Sequence, residues 1–556
     1  MLLAIKERWL VAGLGLVAIL YSAAAAMPVP SRPANRGVLR KRIAALGSMP
    51  KPSVGAAPIA AKHVIYDIYE RRDYRPAWRN SELVRQLYTQ VLHAADHGLN
   101  PNDFHARQLA RLVKARAESI DPERAADVEI LCTDAMVRLF VTLRFGKLDP
   151  SSLDPAWNFS REIEAKDPVD VFNHILVTGE VSKSLAAAAP QNDFYRSLQA
   201  ALGRYRHIRE KGGWPVLPPG PVLKTGSHGP RVELLREWLR ITGDLAAPDP
   251  ADPRLFDRGL EGAVQHFQMR HGIDTDGKAG PRTIHEINVP IQKRIDQIRV
   301  NLERMRWVFR DIPRDYLVVD IAGFHAYLLK DGKSIWSSRV QVGKPFHETP
   351  VFRDTMRYIE LNPTWTVPPG ILRKEILPAI RRDPAYLSHN NMVVLTRSGA
   401  TVDPSTIDWA GTAGEGFPYM IRQQPGPNNA LGRVKFMFPN KYMVYLHDTP
   451  SKGLFARPER AFSHGCIRVQ RPIELALLLL EGEGWDRGRI ESVIASKKTT
   501  RVPLHRPLPV MLLYWTAEAS DDGTVYFRKD LYDRDAPIIK GLDEPFRVDP
   551  PKGCRC

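Results

Sequence analysis

The residues best suited to covalent chemistry stand together in one short motif, Ser-His-Gly-Cys-Ile-Arg-Val at residues 463–469. With 16 His, 38 Gly and 4 Cys in 556 residues, chance would produce the central His-Gly-Cys triplet only about 0.008 times. Another histidine, His447, precedes Ser463 with fifteen residues between them. A thiol and an imidazole that meet in a folded protein form a nucleophile and its base, so Cys466 and His447 are the candidate catalytic pair.

Two other interpretations of the same residues stay open. His447, His464 and Cys466 could ligate zinc, although neither a fourth ligand nor a Cys-x-x-Cys pair is evident in the sequence. Ser463 could itself be a nucleophile, but it lacks the Gly-x-Ser-x-Gly context of a nucleophile elbow. The expectation is therefore a thiol site that needs neither a metal nor a cofactor, since thiol and imidazole suffice.

The remaining cysteines do not suggest a second site. Four cysteines in a chain of this length cannot build a disulfide framework, so each is interpreted singly. Cys132 lies in an apolar helical stretch and is expected to pack in a core. Cys554 and Cys556 form a terminal Cys-Arg-Cys to which the sequence assigns no role.

Strand-forming residues lead up to the candidate pair. Residues 442–446 predict a strand that ends at His447, and Cys466 lies on the loop that follows, so the two side chains can meet across a sheet edge. Strand patterns begin at Tyr316 and return near residues 510–515 and 524–527. Between about 367 and 432 the pattern is irregular and rich in Gly, Asn and Pro, which is typical of a lid.

The spacing His-x15-Ser-His-Gly-Cys-hydrophobic-Arg resembles the active-site signature of the L,D-transpeptidase catalytic domain, also called the YkuD domain. The resemblance implies that Cys466 is the nucleophile and that His447 is a base oriented by a nearby backbone carbonyl. It also implies a mainly β fold and an oxyanion hole formed by the backbone amides around Gly465 and Cys466. Tyr445 and Trp365 are weaker candidates for substrate contact, and both are more typical of a core. The other residues that the resemblance places at the pocket are Ser463, His464 and Arg468.

By the same resemblance the protein is a peptidoglycan L,D-transpeptidase. The thiol attacks the carbonyl of the third residue of a tetrapeptide stem and D-Ala leaves. The side-chain amine of a diamino acid on a neighbouring stem then resolves the thioester, giving a 3–3 cross-link. Hydrolysis, or attachment of a protein or a free D-amino acid to the same acyl-enzyme, is the rival within the class. A catalytically silent cell-wall-binding scaffold is the rival outside it.

The chemistry of the thiol limits what its activation can contribute. An ordinary cysteine is only ~3% thiolate at pH 7, and a pKa lowered to about 6.5 would raise that fraction about 25-fold. Because nucleophilicity falls with pKa, the net gain would be only about threefold. His447 is therefore expected to matter chiefly as the acid that protonates the departing amine.

Charge and the N-terminus indicate the partner and the compartment. The net charge of +17 suits an anionic partner. Lys6 and Arg8, the mostly apolar run 9–20 and the small residues 23–26 have the pattern of a secretory signal, with an uncleaved membrane tether as the alternative. The run is shorter than the ~20 residues that a membrane span needs. Export to the periplasm or cell envelope argues against nucleic acid as a partner and favours peptidoglycan.

The sequence as a whole predicts a multidomain α+β protein. Residues 27–61 are rich in Pro, Ala and Arg and predict a flexible tether after the signal or anchor at 1–26. Phe267-Gln268 ahead of Gly272-Ile273, with the turn at residues 276–281, resembles a small three-helix peptidoglycan-binding domain. An apolar stripe predicts a connector helix at 291–315 whose basic side is solvated. The other expected units are a helical scaffold at 62–215, the peptidoglycan-binding module at 222–290, the catalytic domain at 316–501 with its lid, and a partly strand extension at 502–556.

Overall fold

The computed structural model describes residues 36–78, 80–114, 121–160, 167–246, 250–310, 312–409, 411 and 416–546. The expected signal or anchor at 1–26, the start of the tether, and the terminal Cys554 and Cys556 lie outside these residues. Within them the expected fold class is confirmed. A helical N-terminal region and a three-helix module precede a β-rich domain with a large sheet.

The N-terminal region is built around one long helix, α5. This helix has 24 residues, begins at a proline, which suits the first helical position, and ends before Gly146. It buries residues on all its sides, including Cys132, as a helix at the centre of a core does. The elements of this region are α1 (Arg36–Ser48), β1 (Ser53–Val54), β2 (Ala57–Pro58), α2 (Lys62–Arg71), α3 (Ser81–His93), α4 (Ala106–Lys114), α5 (Pro122–Phe145), α6 (Pro168–Thr178), α7 (Val181–Ala188) and α8 (Asp193–Glu210).

The predicted flexible tether is wrong for residues 36–61. Helix α1 packs on α2 and α5. The backbone amides of Ala60 and Ala61 donate hydrogen bonds to Asp134 of α5 at 3.0 and 2.7 Å. The composition suggested a solvated linker, but a short apolar stripe suffices for a helix that packs on a larger core. The stripe consists of Leu39, Ile43 and Leu46.

The three-helix module has its own hydrophobic core. It comprises α9 (Pro230–Ile241), α10 (Arg258–Arg270) and α11 (Pro281–Ile287). Gln268 of α10 donates to Asp276 at 2.9 Å and accepts from the amide of Gly277 at 2.9 Å. Gly277 has φ of +72°, a conformation that favours glycine. The residues that carried the resemblance to a peptidoglycan-binding domain therefore hold the turn between α10 and α11.

Helix α12 (Ile291–Val308) is not the connector with a solvated basic side that its sequence predicts. It packs on α5 and α8, and the side chains of Arg294 and Arg304 are buried. The carboxylates that neutralise them come from other elements, 8 and 231 residues away, and an apolar stripe does not reveal them. The ion pairs are Arg294–Glu286 and Arg304–Asp535, both at 2.6 Å.

One large sheet organises the second half of the chain. In the described residues its strand order is β13-β5-β14-β12-β11-β6-β15-β3-β4, and β5 also pairs with β4, so that the sheet closes on itself. The strands after α12 are β3 (Tyr316–Asp320), β4 (His325–Lys330), β5 (Lys333–Gly343), β6 (Phe352–Leu361), β7 (Trp365–Thr366), β8 (Met392–Leu395), β9 (Thr401–Val402), β10 (Met420–Gln423), β11 (Val434–Met437), β12 (Leu446–His447), β13 (Ala461–Ser463), β14 (Ile467–Val469), β15 (Thr500–Leu513), β16 (Ala517–Ala519) and β17 (Val525–Phe527).

An insertion leaves the large sheet after β6 and returns at β11. It holds a separate sheet in the order β7-β10-β8-β9 and a hydrophobic core of its own, formed largely by its short helices. It occupies the region in which the sequence predicts a lid. Its helices are α13 (Pro369–Ile371), a π-helical turn at Leu372–Ile376, α14 (Leu377–Arg382) and α15 (Tyr386–His389).

The predicted domain end at residue 501 falls inside a strand of the sheet. β15 lies between β6 and β3, so the catalytic sheet cannot close without residues up to Leu513. The hairpin β16–β17 follows. No helix of the described chain is both long and apolar enough to cross a membrane. The helices after the insertion are α16 (Pro472–Leu479), α17 (Arg487–Ala495) and α18 (Asp535–Asp543).

Candidate active site

The pairing of β12 with β14 places the two predicted catalytic residues on neighbouring segments of one sheet. The strands are parallel, with Leu446 opposite Ile467 and His447 opposite Arg468. Leu446 and Ile467 are fully buried in the core. Cys466 directly precedes Ile467, whose amide donates to the carbonyl of Tyr445 at 3.0 Å. Because side chains alternate along a strand, His447 lies on the opposite face from the core, where its ring meets that of Tyr445 with centroids 5.7 Å apart.

His447 is held as a neutral imidazole. Its Nδ1 lies 2.5 Å from the carbonyl oxygen of Asp448, which assigns the proton to Nδ1 and makes Nε2 the nitrogen with the lone pair. Burial, with Arg468 and Lys435 nearby, lowers the pKa of His447 to about 3. Asp448 is itself fixed by Lys452 and by the amide of Arg433. The resemblance implied a histidine oriented by a backbone carbonyl, and the carbonyl of Asp448 lies in that position.

Cys466 carries a neutral thiol at rest, contrary to the lowered pKa considered above. Burial raises the pKa of Cys466, although Tyr445, Lys435 and Arg468 act in the opposite direction. Tyr445 lies within hydrogen-bonding reach of the sulfur. The thiol is nevertheless part-exposed, so a substrate can reach it. A thiol with a raised pKa needs a base at the moment of attack, and its thiolate is intrinsically more nucleophilic than one of lower pKa.

The tight turn before Cys466 is closed by Ser463. The Ser463 hydroxyl donates to the carbonyl of Cys466 at 2.5 Å and accepts from the amide of Gly465 at 3.1 Å. Ser463 is buried, so its hydroxyl serves the turn and is not placed as a nucleophile. Gly465 has φ of +109°, which excludes most other residues. The Gly465 amide is already bonded to Ser463. The amide of Cys466 has no acceptor among the described residues, so it is the amide that can bind an oxyanion.

A ring of hydrogen bonds supports this turn from behind. Thr349 donates to the carbonyl of Gly465 at 2.8 Å and accepts from the amide of Gly343 at 2.9 Å. Tyr532, near α18, donates to the carbonyl of Gly343 at 2.7 Å and accepts from the amide of Thr349 at 3.2 Å. The C-terminal extension thus supports Thr349, and through it the catalytic turn, by the hydroxyl of Tyr532. Neither Thr349 nor Tyr532 carries a sequence signal that would have found it.

The insertion contacts the motif through His464. The Nε2 of His464 lies 2.9 Å from the carboxylate of Glu375 in the π-helical turn, and its ring lies against that of His347 with centroids 4.7 Å apart. Trp365 lies in β7 and packs on the core of the insertion. His464 therefore joins the insertion to the catalytic turn, whereas Trp365 belongs to the insertion itself.

A row of polar side chains crosses the sheet at the level of His447. In register, Arg468, His447, Lys435 and Glu360 follow one another across β14, β12, β11 and β6. The Lys435 ammonium lies 4.1 Å from the centre of the Tyr445 ring and 3.9 Å from the carboxylate of Glu360. His447 thus has a cation on each side, which favours its neutral form. Sequence analysis did not identify Lys435 or Glu360.

The zinc interpretation has no set of ligands in the structure. In the part of the chain that is described, no three His, Cys, Asp or Glu side chains come together so as to hold a metal ion. His464 is paired with Glu375, and the Nδ1 of His447 is taken by a carbonyl. The arrangement is suited to acyl transfer by a thiol with an imidazole as its proton carrier.

Family models match three parts of the chain. Residues 314–494 match the L,D-transpeptidase catalytic domain. Residues 228–287 match a domain described as "Putative peptidoglycan binding domain", and residues 63–202 match a scaffold domain. The chain carries an L,D-transpeptidase catalytic domain.

A curated relative is similar to part of the chain. The chain is 38% identical over 309 residues to "Putative L,D-transpeptidase" of Haemophilus influenzae strain Rd. The matched region covers 54% of this chain and 62% of that protein. The chain therefore matches less than two thirds of the length of this curated relative.

Two solved structures show a weaker likeness. One is an L,D-transpeptidase from Mycobacterium smegmatis, at 14% identity and a TM-score of 0.17, covering 36% of this chain and 58% of that one. The other is the catalytic domain of an E. faecium L,D-transpeptidase acylated by ertapenem, at 14% identity and a TM-score of 0.17, covering 37% of this chain and 100% of that one. Scores this low have no bearing on function.

Proposed function

We propose that this protein is a peptidoglycan L,D-transpeptidase in which Cys466 is the nucleophile and His447 carries the proton. The observation that supports this most directly is the β12–β14 pairing, which puts a part-exposed thiol and an imidazole held at Nδ1 on neighbouring segments of one sheet. The matched catalytic and peptidoglycan-binding domains agree with that chemistry. The exported, periplasmic location and a membrane tether through the N-terminus belong to the same proposal.

The first half-reaction forms a thioester. As the sulfur of Cys466 attacks the carbonyl carbon of the third stem residue, Nε2 of His447 takes the thiol proton. The carbonyl oxygen becomes an oxyanion and accepts a hydrogen bond from the amide of Cys466. When the tetrahedral intermediate collapses, the C–N bond to D-Ala breaks and the imidazolium gives its proton to the departing amine. Neutral His447 is then restored.

The second half-reaction transfers the acyl group. The side-chain amine of a diamino acid on another stem attacks the thioester, and His447 accepts the proton that this amine loses. The C–S bond breaks, the sulfur leaves as thiolate and regains the proton from His447. The product is an amide between the third residues of two stems, which is the 3–3 cross-link. Water in place of the amine would give hydrolysis by the same steps.

The resting charges define the task of His447. Because the pKa of the thiol is raised and that of the imidazole is lowered, the neutral pair prevails in the free enzyme. Proton transfer therefore has to accompany attack, and the same proton is then available for the leaving amine. General acid–base catalysis of this kind contributes about 10²–10⁴-fold.

Mass spectrometry of the protein incubated with disaccharide-tetrapeptide tests the proposal. We expect an adduct on Cys466 that lacks D-Ala, followed by a cross-linked dimer in solution. Cys466→Ala should give neither. An adduct that yields only the shortened stem would identify a hydrolase, and the absence of any adduct with the intact chain would contradict the proposal.

A further inference from the structure

A large cleft, separate from the catalytic turn, lies where three units of the protein meet. Its volume is about 1030 Å³. One wall comes from the end of α10 and from α11 in the three-helix module, another from β3 and β4 of the catalytic sheet, and a third from the β16–β17 hairpin. The cleft also includes residues 456–460, which lead directly into β13 and the catalytic motif.

Arginines without carboxylate partners face this cleft. Arg339, Arg457 and Arg460 line it, and none of them has a carboxylate within ion-pair distance in the residues that the structure describes. Arg460 is buried and donates instead to the carbonyls of Phe324 and Val340, at 2.9 and 3.2 Å. Burial together with Arg339 and Arg528 lowers the pKa of Arg460 to about 10, so it is still charged at neutral pH.

The carboxylates of the lining do not offset these arginines, because most of them already have partners. The pairs are Glu518 with Arg528 at 3.7 Å, Glu459 with Lys529 at 3.2 Å, and Glu286 with Arg294 at 2.6 Å. Asp274, at the exposed edge, is the remaining acidic residue of the lining, and Arg282 is a further exposed cation there. Three clustered guanidinium groups without counter-charge favour an anionic ligand.

Aromatic side chains give the cleft an amphipathic surface. Tyr327, Tyr526 and Trp515 line it, and Arg460 stacks over the ring of Phe324 at 5.4 Å. Phe194, 53% exposed, lies at its scaffold side. Aromatic faces with polar atoms around them suit sugar rings, which have apolar faces and polar edges.

The cleft lies close enough to Cys466 to share one polymer with it. Six residues lead from Arg460 to Cys466, and a fully extended chain of that length spans at most about 22 Å. A polymer of sugar rings with carboxylate-bearing peptides has anions for the arginines and ring faces for the aromatic side chains. It is also long enough to reach Cys466 from the cleft. Peptidoglycan has that composition, and the module that forms one wall matches a peptidoglycan-binding family.

We propose that this cleft binds a peptidoglycan strand beside the stem that reacts at Cys466, with stem carboxylates on Arg339 and Arg457 and sugar rings against Tyr327 and Tyr526. The inference rests on the proposed function and locates its polymer on a surface that the module, the catalytic sheet and the C-terminal hairpin form together. The module alone would therefore be an incomplete binding site.

Binding of a soluble peptidoglycan fragment tests this directly. The probe is a chain of two disaccharide-tetrapeptide units, bound to full-length Cys466→Ala protein so that it is not consumed. Arg339 and Arg457 are exposed, so the double variant Arg339→Gln, Arg457→Gln should fold normally. We expect its dissociation constant to rise by about tenfold or more, with a weaker dependence on salt. The matched control, Arg111→Gln with Arg506→Gln, removes two exposed charges outside the cleft and should change the constant less than about twofold.

Three results would overturn the cleft proposal. They are an unchanged dissociation constant in the cleft variant, an equal loss in the control variant, and equally tight binding of a glycan chain without peptide stems. A parallel measurement keeps the two proposals apart. In protein with Cys466 intact, the rate of acylation by a carbapenem should be the same in the cleft variant and the wild type. Failure of the wild type to acylate would contradict the proposed function, while the binding comparison would still decide the cleft.

Discussion

Two cysteines in the described chain, Cys132 in helix α5 and Cys466 in the catalytic turn, have thiol pKa values shifted in the same direction but differ in accessibility and in the groups around them. Burial raises the pKa of both. Cys132 is fully enclosed, and the nearby Glu129 raises its pKa further. Cys466 is reachable and has the Tyr445 hydroxyl and two cations acting against the effect of burial. The comparison teaches that desolvation alone makes an inert thiol, and that access, donors and a base distinguish a reactive one.

The largest expected effect on activity comes from removing each of the two thiols in turn. Cys466→Ala should abolish acyl-enzyme and cross-link formation, because no other group can form the thioester. Cys132→Ala should leave both intact and lower the free energy of unfolding by about 1 kcal/mol through the lost packing. Mass spectrometry after incubation with disaccharide-tetrapeptide, with a thermal melt of each variant, measures both effects. Full activity in Cys466→Ala would overturn the assignment.

Removal of the base comes next. His447→Ala should slow the reaction with tetrapeptide by about 10² or more, because both attack and departure of the amine need the proton. A β-lactam ring opens with relief of strain and needs that proton less, so the loss toward a carbapenem should be proportionally smaller. Acylation rates with the two substrates give the ratio, and equal losses would show that His447 only activates the thiol.

A second buried histidine supplies the control for that experiment. Burial also lowers the pKa of His97 to about 3, but its ring bonds to the hydroxyl of Tyr195 in the helical region, at 2.8 Å. His97→Gln should therefore leave both acylation rates unchanged per mole of folded protein.

The support behind the turn is expected to have a smaller effect. Thr349→Val removes the donor to the carbonyl of Gly465, which should lower the acylation rate about tenfold with KM within about twofold. Thr349→Ser keeps the hydroxyl and should retain activity. Tyr532 is one hydrogen bond further from the turn, so Tyr532→Phe should lower the acylation rate only about threefold. Steady-state kinetics with folded protein test this, and normal kcat in Thr349→Val would show that the turn holds itself.

The smallest effect concerns the cation beside the thiol. Lys435 lowers the pKa of Cys466, so its removal in Lys435→Met should raise that pKa further. The pH at which alkylation of Cys466 by iodoacetamide accelerates should then move upward, with a rate about two- to fivefold lower near pH 8. Lys441→Met, an exposed lysine that does not act on the thiol, is the control. A shift toward lower pH would contradict the role given to Lys435.

The sequence predicted the parts of the site that are local. Ser463, His464, Gly465 and Cys466 are contiguous. His447 was placed at the end of a predicted strand over residues 442–446, of which the structure has only Leu446–His447 as strand. The direction of the thiol pKa could not be predicted, because it depends on how distant segments enclose the sulfur. Thr349 and Tyr532 were missed for the same reason, since Thr349 bonds to Gly465 across 116 residues of chain and Tyr532 bonds to Thr349 across 183.

The errors in the fold have a similar origin. Helix α1 has few apolar residues and exists because α5 offers it a surface. The arginines of α12 are buried because carboxylates of other elements lie beside them, Glu286 from α11 and Asp535 from a segment 231 residues further along the chain. Local patterns predict elements well, but they do not report which neighbours an element will meet.

The way in which the insertion joins the sheet has a consequence for how such enzymes can be altered. It departs after Leu361 and returns before Val434, and these two residues are register partners on adjacent strands, with the amide of Asn362 bonded to the carbonyl of Arg433 at 2.9 Å. Topologically, the whole segment is a hairpin loop that has grown into a small domain. A change of length between these ends leaves the β6–β11 register in place as long as it keeps the contacts of Glu375 with His464 and of Arg433 with Asp448.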